Sequence, residues 1–222
     1  MIETFPNVIS SEALTWFTND FAAKIDIDPV DRPYTAEDAK RIYGVDNCVL
    51  QDRRHILRAG DEAYRRMGDI LYTIVPRGTY FYMAYQRQFL PHQLHVDGVY
   101  PDTDLNYAKS AIIPLDDNPN GIFQTIVWDK VMMTNEDLAA FFQEFIADSS
   151  KFEKVADTSE MLNVNHCWGG QPSIVDYMPL DGVYHYELGS IGLLDRTHVH
   201  CSSNWRKYGL VDHKDIILLH IG

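Results

Sequence analysis

The segment PHQLHVDG, Pro91 to Gly98, places His92, His95 and Asp97 in one short stretch of otherwise strand-like sequence. In an extended strand, residues i and i+2 project to the same face, so His95 and Asp97 point together while Val96 points away. An imidazole beside a carboxylate supplies a borderline nitrogen and a hard oxygen, a pair suited to Fe(II), Mn(II) or Zn(II). One more imidazole from a distant strand would complete a two-histidine, one-carboxylate face with open positions on the ion. His92, three residues before His95, falls on the opposite face, which gives it a surface or supporting role. An isolated His-x-Asp is common by chance, so the rest of the chain must supply the missing ligand.

That ligand has two candidates. The run LDRTHVHCSSNWRKYGL carries His198 and His200 on one strand face, followed by Arg206. Other polar residues fit less well. His166, Cys167 and Trp168 sit in the Gly-rich turn NHCWGGQP, where adjacent residues rarely form a catalytic cysteine–histidine pair. His213 and His220 have no partner pattern, and Asp116 and Asp117 belong to a turn. The arginines of DRRHILR, with Arg65 and Arg66, read as a solvated helix face.

Two regions must position these residues. From Ser10 to about Met67 the signals are helical: Ser10 or Ser11 caps a helix bearing Leu14, Phe17 and Phe21, Thr35 starts another, and QDRRHILRAGDEAYRRM offers a third. From Asp69 the pattern changes to short β-rich runs: DILYTIV, TYFYMAYQ, QLHVD, KSAIIPL, GIFQTIVW, SIVDYM, VYHYEL, THVHCSS, KYGLVD and IILLHI. Many short strands between turns indicate a barrel or sandwich. NEDLAAFFQEF interrupts them as a helical insertion near residues 135–147, with Asn135 as its cap. The expectation is one mainly β domain over residues 1–222, with a helical N-terminal layer (1–68) on a β core (69–222).

A chain of 222 residues with 45% hydrophobic and 12% aromatic residues can bury a large core. Its formal charge of −13 disfavours nucleic acid and anionic membrane surfaces as partners. Cys48, Cys167 and Cys201 are too dispersed for a finger-type zinc site and their odd number fits no complete disulfide framework, which suggests free thiols in a reducing cytosol. The start MIETFPNVISSEAL lacks the pattern of a signal peptide, so the expected location is cytoplasmic. No heptad or apolar stripe assigns an oligomeric state.

The two histidine-bearing stretches resemble the paired signatures of the Fe(II)- and 2-oxoglutarate-dependent oxygenases. FPNVISSEAL resembles the opening of prolyl-hydroxylase-like members, and AIIPLDD resembles the strand after their His-x-Asp loop. The resemblance implies a double-stranded β-helix, also called a jelly-roll or cupin-like core. It assigns His95 and Asp97 as the first two iron ligands and His198 as the third, because seven residues separate His198 from Arg206; His200 is the runner-up. It assigns Arg206 to the far carboxylate of 2-oxoglutarate, with Tyr208 where relatives have Ser or Thr, and Tyr85 to the same cosubstrate. The implied reaction consumes 2-oxoglutarate and O2, releases succinate and CO2, and hydroxylates a small molecule or a protein side chain. Gly98 to Tyr107, with Tyr100 and Tyr107, Asp129 to Asn165 and the N-terminal helices would choose the substrate. Two alternatives are a cupin-like metal enzyme without 2-oxoglutarate and a catalytically silent binding module.

Overall fold

Nearly every residue of the C-terminal strand Lys214–Ile221 is buried, as expected of a strand covered on both faces. The computed structural model describes residues 2–29, 35–46, 51–74, 80–98, 109–157, 162, 164 and 174–222. Cys48, Tyr100, Tyr107, His166, Cys167 and Trp168 lie outside the described residues. The strands are β1 (Ile2–Phe5), β2 (Asp28–Pro29), β3 (Arg53–Ile56), β4 (Tyr80–Gln88), β5 (Lys109–Pro114), β6 (Gln124–Val131), β7 (Leu180–His185), β8 (Ile191–Asp195), β9 (His198–Ser202) and β10 (Lys214–Ile221). Seven form a sheet in the order β1-β8-β5-β10-β4-β3-β2, and three form a second sheet in the order β7-β6-β9. Every pairing among them is antiparallel, and the architecture is mainly β, consistent with a jelly-roll.

The alternation along β10 divides the interior in two. Ile217, Leu219 and Ile221 join Met83 and Tyr85 of β4 and Ala111 and Ile113 of β5 beneath the helices. There α1 (Ser11–Thr15), extended by a wider helical turn over Trp16–Ala22, inserts Phe17. Helix α3 (Glu62–Leu71) adds Ala63, Met67 and Leu71, spaced by four residues along one face. The opposite residues, Lys214, Ile216, Leu218 and His220, face the second sheet, where Ile216 packs with Ile112, Phe123, Val127, Tyr184 and Trp205. The remaining helices are α2 (Ala36–Tyr43) and α4 (Asn135–Ala147). No helix among the described residues is long and apolar enough to cross a membrane.

Several local expectations are corrected. The third helical segment is split: Arg53–Ile56 pairs with β4 as a strand, and the helix starts only at Glu62. Sheet pairing overrides helical propensity there. The start of DILYTIV ends α3, SIVDYM contains the short 3-10 turn Ile174–Tyr177, and KYGLVD forms no strand. QLHVD contributes only an isolated bridge at His95. Thr134, not Asn135, caps α4, in a reciprocal box with Asp137.

Between the sheets Gly192 is required for packing. A Cβ there would meet three atoms of the buried Tyr184 ring, with Cγ at 2.7 Å. Gly192→Ala is expected to destabilise the protein by roughly 1–3 kcal/mol, the usual cost of overpacking a filled core. A urea unfolding curve reads this as a lower midpoint.

Candidate metal centre and adjoining cavity

His95 and His200 exchange both backbone hydrogen bonds, each 2.9 Å long, across an antiparallel bridge. Residues paired this way project to the same side, so their rings meet with centroids 4.2 Å apart. Asp97, two residues beyond His95, joins them: Oδ1 lies 3.8 Å from His95 Nε2 and Oδ2 lies 3.8 Å from His200 Nε2. One donor atom from each of the three residues fits within 4.8 Å of the others.

Hydrogen bonds orient each member. Nδ1 of His95 contacts the Gln93 carbonyl at 2.7 Å, and Nδ1 of His200 contacts the His198 carbonyl at 2.8 Å. Each Nδ1 therefore carries a proton, which leaves Nε2, on the side of Asp97, as the nitrogen available to a metal. The Ser110 hydroxyl donates to Asp97 Oδ2, and Arg196 Nη2 donates to the Asp97 carbonyl at 2.8 Å. Burial, reinforced by His200 and His92, pushes His95 down to about 3 despite Asp97. Burial alone would raise Asp97, but His200 and His95, followed by His220 and Ser110, outweigh it and hold the carboxyl below the usual range. Two neutral imidazoles and one carboxylate are the forms a divalent transition metal binds.

The three residues line an open cavity together with Gln88, His92, Ile112, Thr125, Tyr186, Ser202, Ile216 and Leu218. Behind its polar wall lies Lys214, only 1% exposed. Its ammonium donates to the Tyr186 and Ser202 hydroxyls, each at 3.3 Å, and lies 4.6 Å from the Tyr186 ring centre. Tyr186 also shares a 3.0 Å hydrogen bond with Thr125. A buried cation normally faces an anion. Here the described neighbours are the two hydroxyls and the rings of Tyr186 and Phe123.

Four residues that the resemblance places at the site are not brought into this arrangement. His198 stands at the start of β9, with Nδ1 3.6 Å from Asp195 Oδ2, because a register shift between β9 and β6 and the His95 bridge select His200. Arg206 donates to the Val211 carbonyl at 2.9 Å and pairs with Asp212 at 3.5 Å, within the loop between β9 and β10. Tyr208, in the same loop, is half exposed. Tyr85 faces the helical layer, and its hydroxyl donates to Asp215 at 2.6 Å. Asp215 also accepts both bonds of the Arg87 fork, at 2.9 and 2.7 Å, so Tyr85 belongs to an ion-pair network at the start of β10. Asp116 and His213 lie beside Asp215, and burial, with Asp215, pushes Asp116 up to about 6.

Lys214 carries no signal in the sequence, whereas the supporting role read for His92 agrees with its place in the cavity wall. His92 lines the cavity and contacts Asp52 Oδ2 at 3.1 Å. His220 stacks edge-on against Tyr82 and is driven down to about 4 by burial, with Asp97 opposing and Arg196 and His200 adding to the shift. A histidine held below its unfolded value of about 6.5 is protonated more readily when unfolded, so its folding cost appears as pH falls from about 6.5 toward 4. His220→Gln should flatten the loss of stability of the metal-free protein across that window. Urea midpoints measured at each pH for both proteins provide the comparison, and parallel curves would contradict it.

No protein-family model and no curated protein sequence matches the chain. Solved structures share its fold. The non-heme alpha ketoglutarate dependent epimerase SnoN of nogalamycin biosynthesis aligns over 100% of this chain and 77% of its own, with a TM-score of 0.57 and 12% identity. The carbocyclase SnoK of the same biosynthesis aligns over 99% and 78%, with a TM-score of 0.52 and 13% identity. HygX from Streptomyces hygroscopicus, solved with nickel and 2-oxoglutarate, aligns over 100% and 82%, with a TM-score of 0.50 and 14% identity.

Proposed function

We propose that the chain is an Fe(II)- and 2-oxoglutarate-dependent oxygenase of small organic molecules, built as one domain on a double-stranded β-helix. The observation that carries this reading is the shared cavity: two imidazoles and a carboxylate converge on one wall, and a buried ammonium backs another. His95, Asp97 and His200 would hold the iron and leave part of its coordination sphere open. Lys214, with the Tyr186 and Ser202 hydroxyls, would bind the far carboxylate of 2-oxoglutarate, and Ile112, Ile216 and Leu218 would supply the apolar lining that keeps water out. When bound, iron with 2-oxoglutarate and O2 supplies an oxidation that releases succinate and CO2 and attacks a substrate C–H bond.

The substrate class follows from the relatives of the fold. SnoN was solved with nogalamycin RO and HygX with hygromycin B, both small molecules, which favours a small molecule over a peptide here. The outcome is hydroxylation or another oxidation begun at the same C–H bond. Aerobic incubation with Fe(II) and 2-oxoglutarate tests the reading through succinate release. No succinate above the metal-free control, with and without candidate substrates, would count against it.

A further inference from the structure

We infer that Asn135, the first residue of α4, is a positioning residue for the His95–Asp97 half of the metal centre. This rests on the function proposed above. The side-chain amide of Asn135 accepts from the Val96 N–H at 3.0 Å and donates to the Val96 carbonyl at 3.0 Å. It thereby acts as a short extra strand against the one residue between the two ligands. The HVD segment has only the isolated bridge at His95 as its sheet pairing, so Val96 takes both backbone partners from Asn135.

The Val96 side chain is held by the same helix. It is 1% exposed and belongs to one apolar cluster with Leu138 and Phe142 of α4 and Trp128 of β6. Because the faces alternate, Val96 anchored in this cluster fixes the direction in which His95 and Asp97 project. α4 thus grips the middle residue by backbone and side chain, while Ser110 and Arg196 hold Asp97 from the other sheet and the β8–β9 turn. The helical insertion sets the angle between the first two ligands.

Co(II) titration of the metal-free protein, followed by visible absorption, tests this without turnover. Asn135→Ala should bind Co(II) about 10–100-fold more weakly, the range seen when groups supporting metal ligands are lost. Asn135→Asp, which keeps the acceptor and loses the donor, should fall between it and the parent. Thr134→Ala is the control: it removes the cap of the same helix without touching Val96, so it lowers the thermal midpoint and leaves Co(II) affinity near the parent's. Equal affinities for Asn135→Ala, Asn135→Asp and the parent would overturn the inference and leave the metal centre standing. Equal weakening by Thr134→Ala would also overturn it, by showing that helix stability alone matters. A parent protein that binds no Co(II) would overturn both the inference and the proposed function.

Discussion

His200→Ala is expected to abolish tight iron binding, while His198→Ala keeps an affinity close to the parent's. The two histidines share a strand face, but only His200 has its Nε2 within 3.8 Å of an Asp97 oxygen. Removing one of three protein ligands should cost more than the roughly 10–100-fold lost with an outer supporting hydrogen bond. His200 is also buried and its backbone is paired with His95, so alanine there leaves the bridge intact and changes mainly the donor set. Iron content after anaerobic loading and desalting provides the comparison. Loss of iron in His198→Ala with retention in His200→Ala would reverse the assignment.

Lys214→Ala should separate cosubstrate binding from metal binding. The ammonium donates to the Tyr186 and Ser202 hydroxyls rather than to His95, Asp97 or His200, yet those hydroxyls line the same cavity as the three residues. Truncating one member of a buried charged pair costs about 2–5 kcal/mol, so 2-oxoglutarate should bind at least about 30-fold more weakly. Arg206→Ala should leave that affinity unchanged, because its guanidinium serves the Val211 carbonyl and Asp212. Isothermal titration of the iron-loaded variants measures both values. A large effect at Arg206 and none at Lys214 would restore the sequence-based assignment.

Why the structure brings His200 and Lys214, rather than His198 and Arg206, to the candidate centre and its cavity is a matter of which interactions are local. The shared direction of His95 and Asp97 depends on two-residue alternation alone and is readable from HVD. The choice between His198 and His200 depends on a β9–β6 register shift and on the His95 bridge, neither of which leaves a local signal. The resemblance places an arginine at a fixed interval after the histidine. The loop after β9 absorbs that interval with the turn Trp205–Tyr208, and the next strand brings Lys214 to the cavity instead.

Tyr85 shows the same limit in another form. A tyrosine in TYFYMAYQ can face either side of its strand, and pairing opposite Ile217 places it under the helices. A one-residue change of register would have reversed it. The helical insertion was visible from the spacing of Leu138, Phe142 and Phe145, since one apolar face is a local pattern. That Thr134 caps it, leaving Asn135 to clasp Val96, required the three-dimensional path of the HVD segment.

The most direct test of the central claim is anaerobic titration of the metal-free protein with Fe(II) and then 2-oxoglutarate, read in the visible spectrum. Chelation of the keto acid by iron held at His95, Asp97 and His200 predicts a weak charge-transfer band that saturates with 2-oxoglutarate and is lost from Lys214→Ala at the same concentrations. Iron binding with no such band at any 2-oxoglutarate concentration would contradict the account and favour a metal enzyme that works without the keto acid.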